Sequence, residues 1–551
     1  MPSKTGARVS LTERAARHLE DATVFGWRIG DVAARLRRHV VPTHWTSLFG
    51  VVTLACLVVV AVSGLWLMFF YTPSSDATTY TGGHAPLHGT DVSKAFASTM
   101  RITFDVPGGL LIRQAHHWSA LLLPGAIIMQ ILTTYFTGAF RRPRRGMWLL
   151  LLLIFIVSLA GGWSGYALPD DLLSGTGLRI VEGIALGIPF VGTPLTFLLF
   201  GGEFPGRIIE HLYPLHVAIV PAALIVLVAA RAFAAWRHRP PQFPGIGRTE
   251  QNVVGVPLQV AAGRAMGLFA LTSGLVVLIA ATVTVNPVWL YGPSSPGDAS
   301  AGSQPDWYTG FLDGALRLVP PGWEFVWLDR TWTLAVIAPL LVVAAYFLAV
   351  AAYPFVEEWI TGDRRDHHLL DRPRNAPTRT AIGVAGIVFY GVLWLAASAD
   401  VLATHLHVSF EQVIITLQVT LLAGPPLAFF IAHRFCLALQ RKDRDILRHG
   451  YETGRVLRLP GGEYVEEHLP VSDAERMRLA PARPLRPLQL HPDDRGRLRL
   501  SQRLRARLSR FFSEDRIEFD ATAPDPELAA SASAPLLVHR SPAGTTDAAP
   551  E

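Results

Sequence analysis

Eight stretches of this chain are long and apolar enough to cross a lipid bilayer, and they limit what it can fold into more than any other feature. They run over 46–70, 110–136, 147–166, 213–236, 265–290, 332–354, 380–398 and 411–435. A hydrocarbon core of about 30 Å takes about 20 helical residues, so each run is long enough to span it. Half of the 551 residues are hydrophobic and only 17% are charged, and the mean hydropathy is positive at +0.32. A soluble domain of this size does not normally carry that balance. The expected fold is an all-α integral membrane protein with eight transmembrane helices, the first four forming a bundle, followed by a cytoplasmic tail. The divisions are an N-terminal segment 1–44, the four-helix bundle 45–240, a second four-span region 241–440 and the tail 441–551.

The formal charge of +6 is concentrated in loops. Arg141, Arg142, Arg144 and Arg145 follow the second run, Arg237, Arg239 and Arg248 the fourth, and Arg364, Arg365, Arg372, Arg374 and Arg379 the sixth. The opposite loops are longer but hold only Lys94, Arg101, Arg179, Arg207, Arg317 and Arg330. This asymmetry reads as membrane topology, with both termini in the cytoplasm of a plasma-membrane protein, and not as a surface for nucleic acid. Arg35, Arg37 and Arg38 precede the first run in a segment too polar for a cleavable signal. Trp27 to Val40 reads either as a basic helix on the membrane surface or as an ordinary solvated helix. The tail carries a second arginine cluster at Arg497, Arg499, Arg503, Arg505, Arg507 and Arg510, and its Ala/Pro/Ser end after Asp520 has a disordered composition. Cys56 and Cys436 are the only cysteines, which leaves no disulfide framework, no CxxCH haem attachment and no iron–sulfur ligand set. Metal chemistry in this chain must use histidine.

Ionisable groups inside a span are expensive, so those present are informative. His116 lies about two turns into the second run and His216 at the start of the fourth, at one depth on the outer side. Two imidazoles facing each other between helices supply the axial donors of a b-type haem, although a single intramembrane histidine is commonly just an interhelical hydrogen-bonding residue. Gly64 and Gly165 share that depth, as a porphyrin wedged into a bundle requires and as plain close helix packing also would. Arg113, one turn before His116, is placed to pair with a haem propionate. His367, His368, His405 and His407 fall in loops and read as solvated.

The runs R-Q-A-H-H-W (Arg113 to Trp118), G-Y-A-L-P (Gly165 to Pro169), G-I-P-F-V-G (Gly187 to Gly192) and P-D-W-Y (Pro305 to Tyr308) resemble the cytochrome b subunit of the cytochrome bc complexes. F-T-G-A-F-R-R-P-R (Phe136 to Arg144), D-D-L-L-S-G-T-G-L-R-I (Asp170 to Ile180) and the long tail resemble its actinobacterial form, and the likeness extends over roughly residues 30 to 470. The resemblance implies a quinol:cytochrome c reductase subunit carrying haem b and oxidising quinol at an outer site. It implies that Asp306, in place of the usual glutamate, accepts a quinol proton, and that Tyr166, Trp307 and Tyr308 line the same pocket. Without the rest of its motif Asp306 reads as a carboxylate capping a helix. The partners implied are quinol and quinone, a Rieske-type iron–sulfur subunit, a cytochrome c subunit, a second copy in a homodimer and a terminal oxidase.

One part of the family pattern is missing. That family binds a second haem nearer the cytoplasm through a histidine about 14 residues further along each of the same two helices, about 21 Å away. Here Gln130 stands at that place on the second run, and Ala230 or Arg231 on the fourth. Leu151 replaces a glycine on the third, and only Gly50 remains of the inner set. Arg231 is within snorkelling reach of the lipid phosphates. His211 stands where the family usually has arginine, which weakens a propionate contact. One haem is therefore expected, ligated by His116 and His216. The alternatives are a single-haem paralogue with a modified electron route and a non-catalytic membrane scaffold.

Overall fold

Each of the eight apolar runs is a helix in the computed structural model of the chain, which describes residues 23–24, 27–295, 297–298, 304, 306–480, 487–489 and 499–514. Pro305, Arg497 and the segment after Asp520 lie outside the described residues. The spans are Trp45–Leu67, Gly109–Phe136, Arg145–Ala167, Ile208–Arg237, Leu258–Thr282, Leu334–Thr361, Pro377–Ala397 and Phe410–His449. The first packs on the second, the second on the third and the third on the fourth, forming the expected bundle. The fifth lies against the first two, the sixth against the third, and the seventh against the eighth.

Where the helices stop follows from local chemistry. The sixth ends at Gly362, whose φ of +71° suits a residue without a Cβ. The fifth was expected at 265–290 but begins directly after Pro257 and ends at Thr282, because the chain turns extended at Val283 and resumes only as the short helix Val288–Tyr291. Trp118 Nε1 donates to Val283 O at 2.8 Å, and Gln114 makes bonds of 2.9 and 2.8 Å with the backbone of Val285. Two side chains of the second span thus hold that strand-like segment, and hydropathy alone could not separate it from helix. The eighth span continues past its apolar part to His449 as one helix of 40 residues.

The arginine-rich end of the bundle is built from charge pairs. Arg379 is 2% exposed. It donates to Glu357 at 3.0 and 2.5 Å and to Asp371 at 2.9 Å. Glu358 accepts from Arg142 and Arg145. A guanidinium and a carboxylate buried together offset much of each other's desolvation cost. The loop histidines part here from the sequence reading. His405 and His407 are exposed, but His367 and His368 are buried. Arg144 donates to His367 O, His367 Nε2 lies 3.3 Å from Asp363, and the His368 amide donates to Glu250. Burial holds both imidazoles below their usual range, with the Asp363 carboxylate pulling His367 the other way.

The N-terminal helix Ile29–Arg38 leads into Val40–Val41, which pairs antiparallel with Val256–Pro257 and ties this segment to the start of the fifth span. Beyond the eighth span, Tyr451–Arg458 and Tyr464–Leu469 form an antiparallel hairpin, followed by helices Asp473–Leu479 and Leu500–Glu514.

Candidate functional site

His116 and His216 come together from different helices with matching support. His116 Nδ1 lies 2.9 Å from Val60 O and 3.1 Å from Ser63 Oγ on the first span. His216 Nδ1 lies 3.0 Å from Gly161 O and 3.2 Å from Ser164 Oγ on the third. A carbonyl only accepts, so each Nδ1 carries the proton and each Nε2 keeps its lone pair for a metal. Both spans provide the same Ser-Gly step. A Cβ on Gly64 would sit 2.9 Å from Cε1 of His116, and one on Gly165 would sit 2.5 Å from Cε1 of His216. The glycines therefore make room first for the imidazole rings.

The ring centres are 6.1 Å apart. A metal bonded to two imidazole nitrogens at about 2 Å each, with each ring centre about 1 Å behind its nitrogen, requires a separation of about 6 Å. Arg113 is 8% exposed and donates to Asn286 O at 3.3 Å, while its Nε is buried with no hydrogen-bond partner. A buried guanidinium N–H without an acceptor suits a haem propionate. His211 bonds through Nδ1 to Leu199 O and is exposed.

His216 sits in a π-turn at Leu215–Ile219, directly after Pro214. Proline has no N–H to give the preceding turn, and the local widening that follows is common at functional sites. The Pro214 signal and the paired Ser63-Gly64 and Ser164-Gly165 steps were visible in the sequence but passed unread.

Asp306 lies close by. Tyr308 donates its hydroxyl to Asp306 Oδ2 at 2.6 Å, and His117 Nε2 is 3.8 Å from Oδ1. Tyr308 is 1% exposed, and its hydroxyl lies against Gly162, where no Cβ would fit. Burial, and then the Asp306 carboxylate, push the Tyr308 hydroxyl far above its ordinary pKa, with Tyr166 adding to the effect. Tyr308 therefore stays a donor. The Tyr166 hydroxyl is buried and has no hydrogen-bond partner among the described residues. Trp307 is held from both ends. Its indole donates to Leu121 O at 3.1 Å and packs on Gly125, and its carbonyl accepts from Trp394 at 2.8 Å, so it anchors the loop. His117 was not singled out in the sequence, where it reads as the neighbour of a ligand.

At the inner depth Gln130 and Leu151 are 6% and 1% exposed. Leu151 packs with Cys56, Ile127 and Leu224. Ala230 is exposed, and Arg231 is half-buried with its Nε enclosed and unpartnered.

Residues 121–293 match the family model for cytochrome b (N-terminal)/b6/petB. The chain is 41% identical over 520 residues to the cytochrome bc1 complex cytochrome b subunit of Streptomyces coelicolor, covering 93% of this chain and 94% of that protein. It is 43% identical over 452 residues to the same subunit of Mycobacterium tuberculosis, covering 80% and 81%. For that of Corynebacterium diphtheriae the identity is 41% over 450 residues, covering 80% and 83%. The fold is similar to a chain of a hyperthermophilic respiratory Complex III, with a TM-score of 0.52 and 18% identity, covering 73% of this chain and 96% of that one.

Proposed function

We propose a single-haem quinol-oxidising role for this chain, which belongs to the family of cytochrome b subunits of the cytochrome bc1 complex, a quinol–cytochrome c oxidoreductase. The observation that carries the proposal is the pair of imidazoles 6.1 Å apart, each bonded through Nδ1 to a backbone carbonyl so that its Nε2 keeps a free lone pair. His116 and His216 would hold haem b, Arg113 would meet a propionate, and Gly64 and Gly165 leave room for the ligand rings. When bound, the haem supplies a one-electron station within the membrane. Asp306 takes a quinol proton, Tyr308 orients that carboxylate, and the unpartnered Tyr166 hydroxyl is free to meet a quinol oxygen.

In this reading the inner depth holds no haem. No imidazole stands there, and Gln130 and Leu151 have no accessible redox state to relay an electron over about 21 Å. The arginine asymmetry supports a plasma-membrane topology with both termini in the cytoplasm. A Rieske-type iron–sulfur subunit and a cytochrome c subunit are the electron-accepting partners proposed. Homodimer formation and delivery to a terminal oxidase rest on the family resemblance alone. A scaffold without haem is disfavoured, because a scaffold has no need of two oriented imidazoles together with a buried arginine whose Nε has no hydrogen-bond partner.

The test is the reduced-minus-oxidised spectrum of His116→Ala and His216→Ala. Either change abolishes the whole b band if one haem is present. A surviving band in a folded variant would overturn the proposal.

A further inference from the structure

We propose that the tail helix Leu500–Glu514 is a lipid-binding element that lies in the headgroup layer at the arginine-rich end of the bundle and prefers anionic phospholipid. The helix packs with an unusual face inward. Ser509, Phe512 and Ser513 are 0%, 7% and 6% exposed, whereas Leu500, Leu504 and Phe511 are 83%, 56% and 43% exposed. At 3.6 residues per turn the three exposed residues fall within about 40° of one another and form one apolar stripe. Arg503 and Arg507 are exposed along the edge of that stripe. A helix folded only to cover protein would place its leucines inward and its serines outward.

Contacts fix its height in the membrane. Arg505 Nε donates to Trp359 O at 2.6 Å, and its guanidinium lies 5.5 Å from the Trp359 ring, in the last turn of the sixth span. Phe511 stacks on His433 at 5.9 Å, beside Arg434, where the apolar part of the eighth span gives way to charge. The Phe511 carbonyl accepts from Thr378, in the first turn of the seventh. The helix therefore lies across three span ends, at the level where tryptophan and arginine meet headgroups.

Trp359 and Phe430, on two of the spans it touches, are also exposed, at 46% and 57%. An apolar stripe edged by arginine, held at this level, matches the acyl boundary below and anionic phosphates beside it.

Full-length protein carrying Leu504→Cys, labelled with an environment-sensitive fluorophore, tests this in nanodiscs of phosphatidylcholine alone and of phosphatidylcholine with phosphatidylglycerol. Cys56 and Cys436 are 0% and 5% exposed, and the wild type serves as the labelling control. The expected result is quenching by a spin-labelled lipid and protection from iodide, both stronger in the anionic discs. Adding Arg503→Glu and Arg507→Glu removes the anionic preference. Dominant iodide quenching in both discs would place the helix in water, and protection from both quenchers would mean that protein covers the stripe. Either result overturns the proposal, as does an anionic preference that survives the charge reversal. Leu500→Cys gives the same readout should Leu504→Cys fail to fold.

Discussion

Gln130 donates its amide to Thr53 Oγ1 over 2.5 Å, and this bond closes the bundle at the depth where a second haem would need space. Thr53 in turn donates to Phe49 O at 2.8 Å, so the hydrogen bonds run from the second span into the backbone of the first. A Cβ on Gly50 would lie 3.7 Å from Gln130 Oε1, an ordinary contact, so the one surviving inner glycine faces an amide side chain. With Leu151 packed against Cys56 and Ile127, apolar side chains fill the bundle beside this polar pair. A buried amide with a partner costs little, whereas a porphyrin-sized void would be severely destabilising.

The two ligand glycines are expected to differ in sensitivity. Gly165→Ala puts a methyl 2.5 Å from the His216 ring, and Gly64→Ala puts one 2.9 Å from that of His116. Both lie within normal van der Waals contact, so haem content measured on purified protein should fall in both variants, and further in Gly165→Ala. Equal, full haem loading in the two would mean that the rings have room to move.

Asp306→Asn should slow quinol oxidation by about 10²-fold or more at unchanged haem content, because it removes a proton acceptor and leaves the ligands intact. The Tyr308 hydroxyl can still donate to the amide oxygen, so the loop should keep its shape. Turnover with a soluble quinol and the b band, measured on one sample, check both halves. Unchanged turnover would remove Asp306 from the chemistry.

Asp170 gives a pH signature. Burial, opposed by hydrogen bonds from Ser93 and Ser294, raises its carboxyl from 3.8 to about 6. Between those values the folded chain binds the proton more tightly than the unfolded chain, so the wild type loses stability as pH rises from about 4 to about 6, with no further loss above. Asn at this position carries no charge and also tolerates the backbone φ of +52°. The thermal midpoint of Asp170→Asn should match the wild type near pH 4 and exceed it above pH 6. A pH-independent difference would contradict this account.

How far the sequence could be read depended on the signal. Hydropathy located all eight spans, since length and apolarity are what a bilayer selects, but it misplaced the fifth. There the β-branched run Val283 to Val285 is as apolar as a helix, but Gln114 and Trp118 take its backbone carbonyls out of the helix. His116 and His216 were legible because charge-bearing groups are rare in spans. Their serine supports were missed because serine is unremarkable there, and the burial of His367 and His368 because it depends on Glu250 and Asp363 folding over a loop. The tail helix was legible as arginine-rich, but its outward apolar stripe appears only once Ser509 and Phe512 are seen to face the protein.

Haem per chain, measured by pyridine haemochrome on the purified protein and normalised to its concentration, tests the central claim most directly. The account predicts one b-type haem in the wild type, and still one in Gln130→His, where the fourth-span ligand and the third-span glycine remain missing. Two haems in the wild type, or a second gained by Gln130→His, would contradict it.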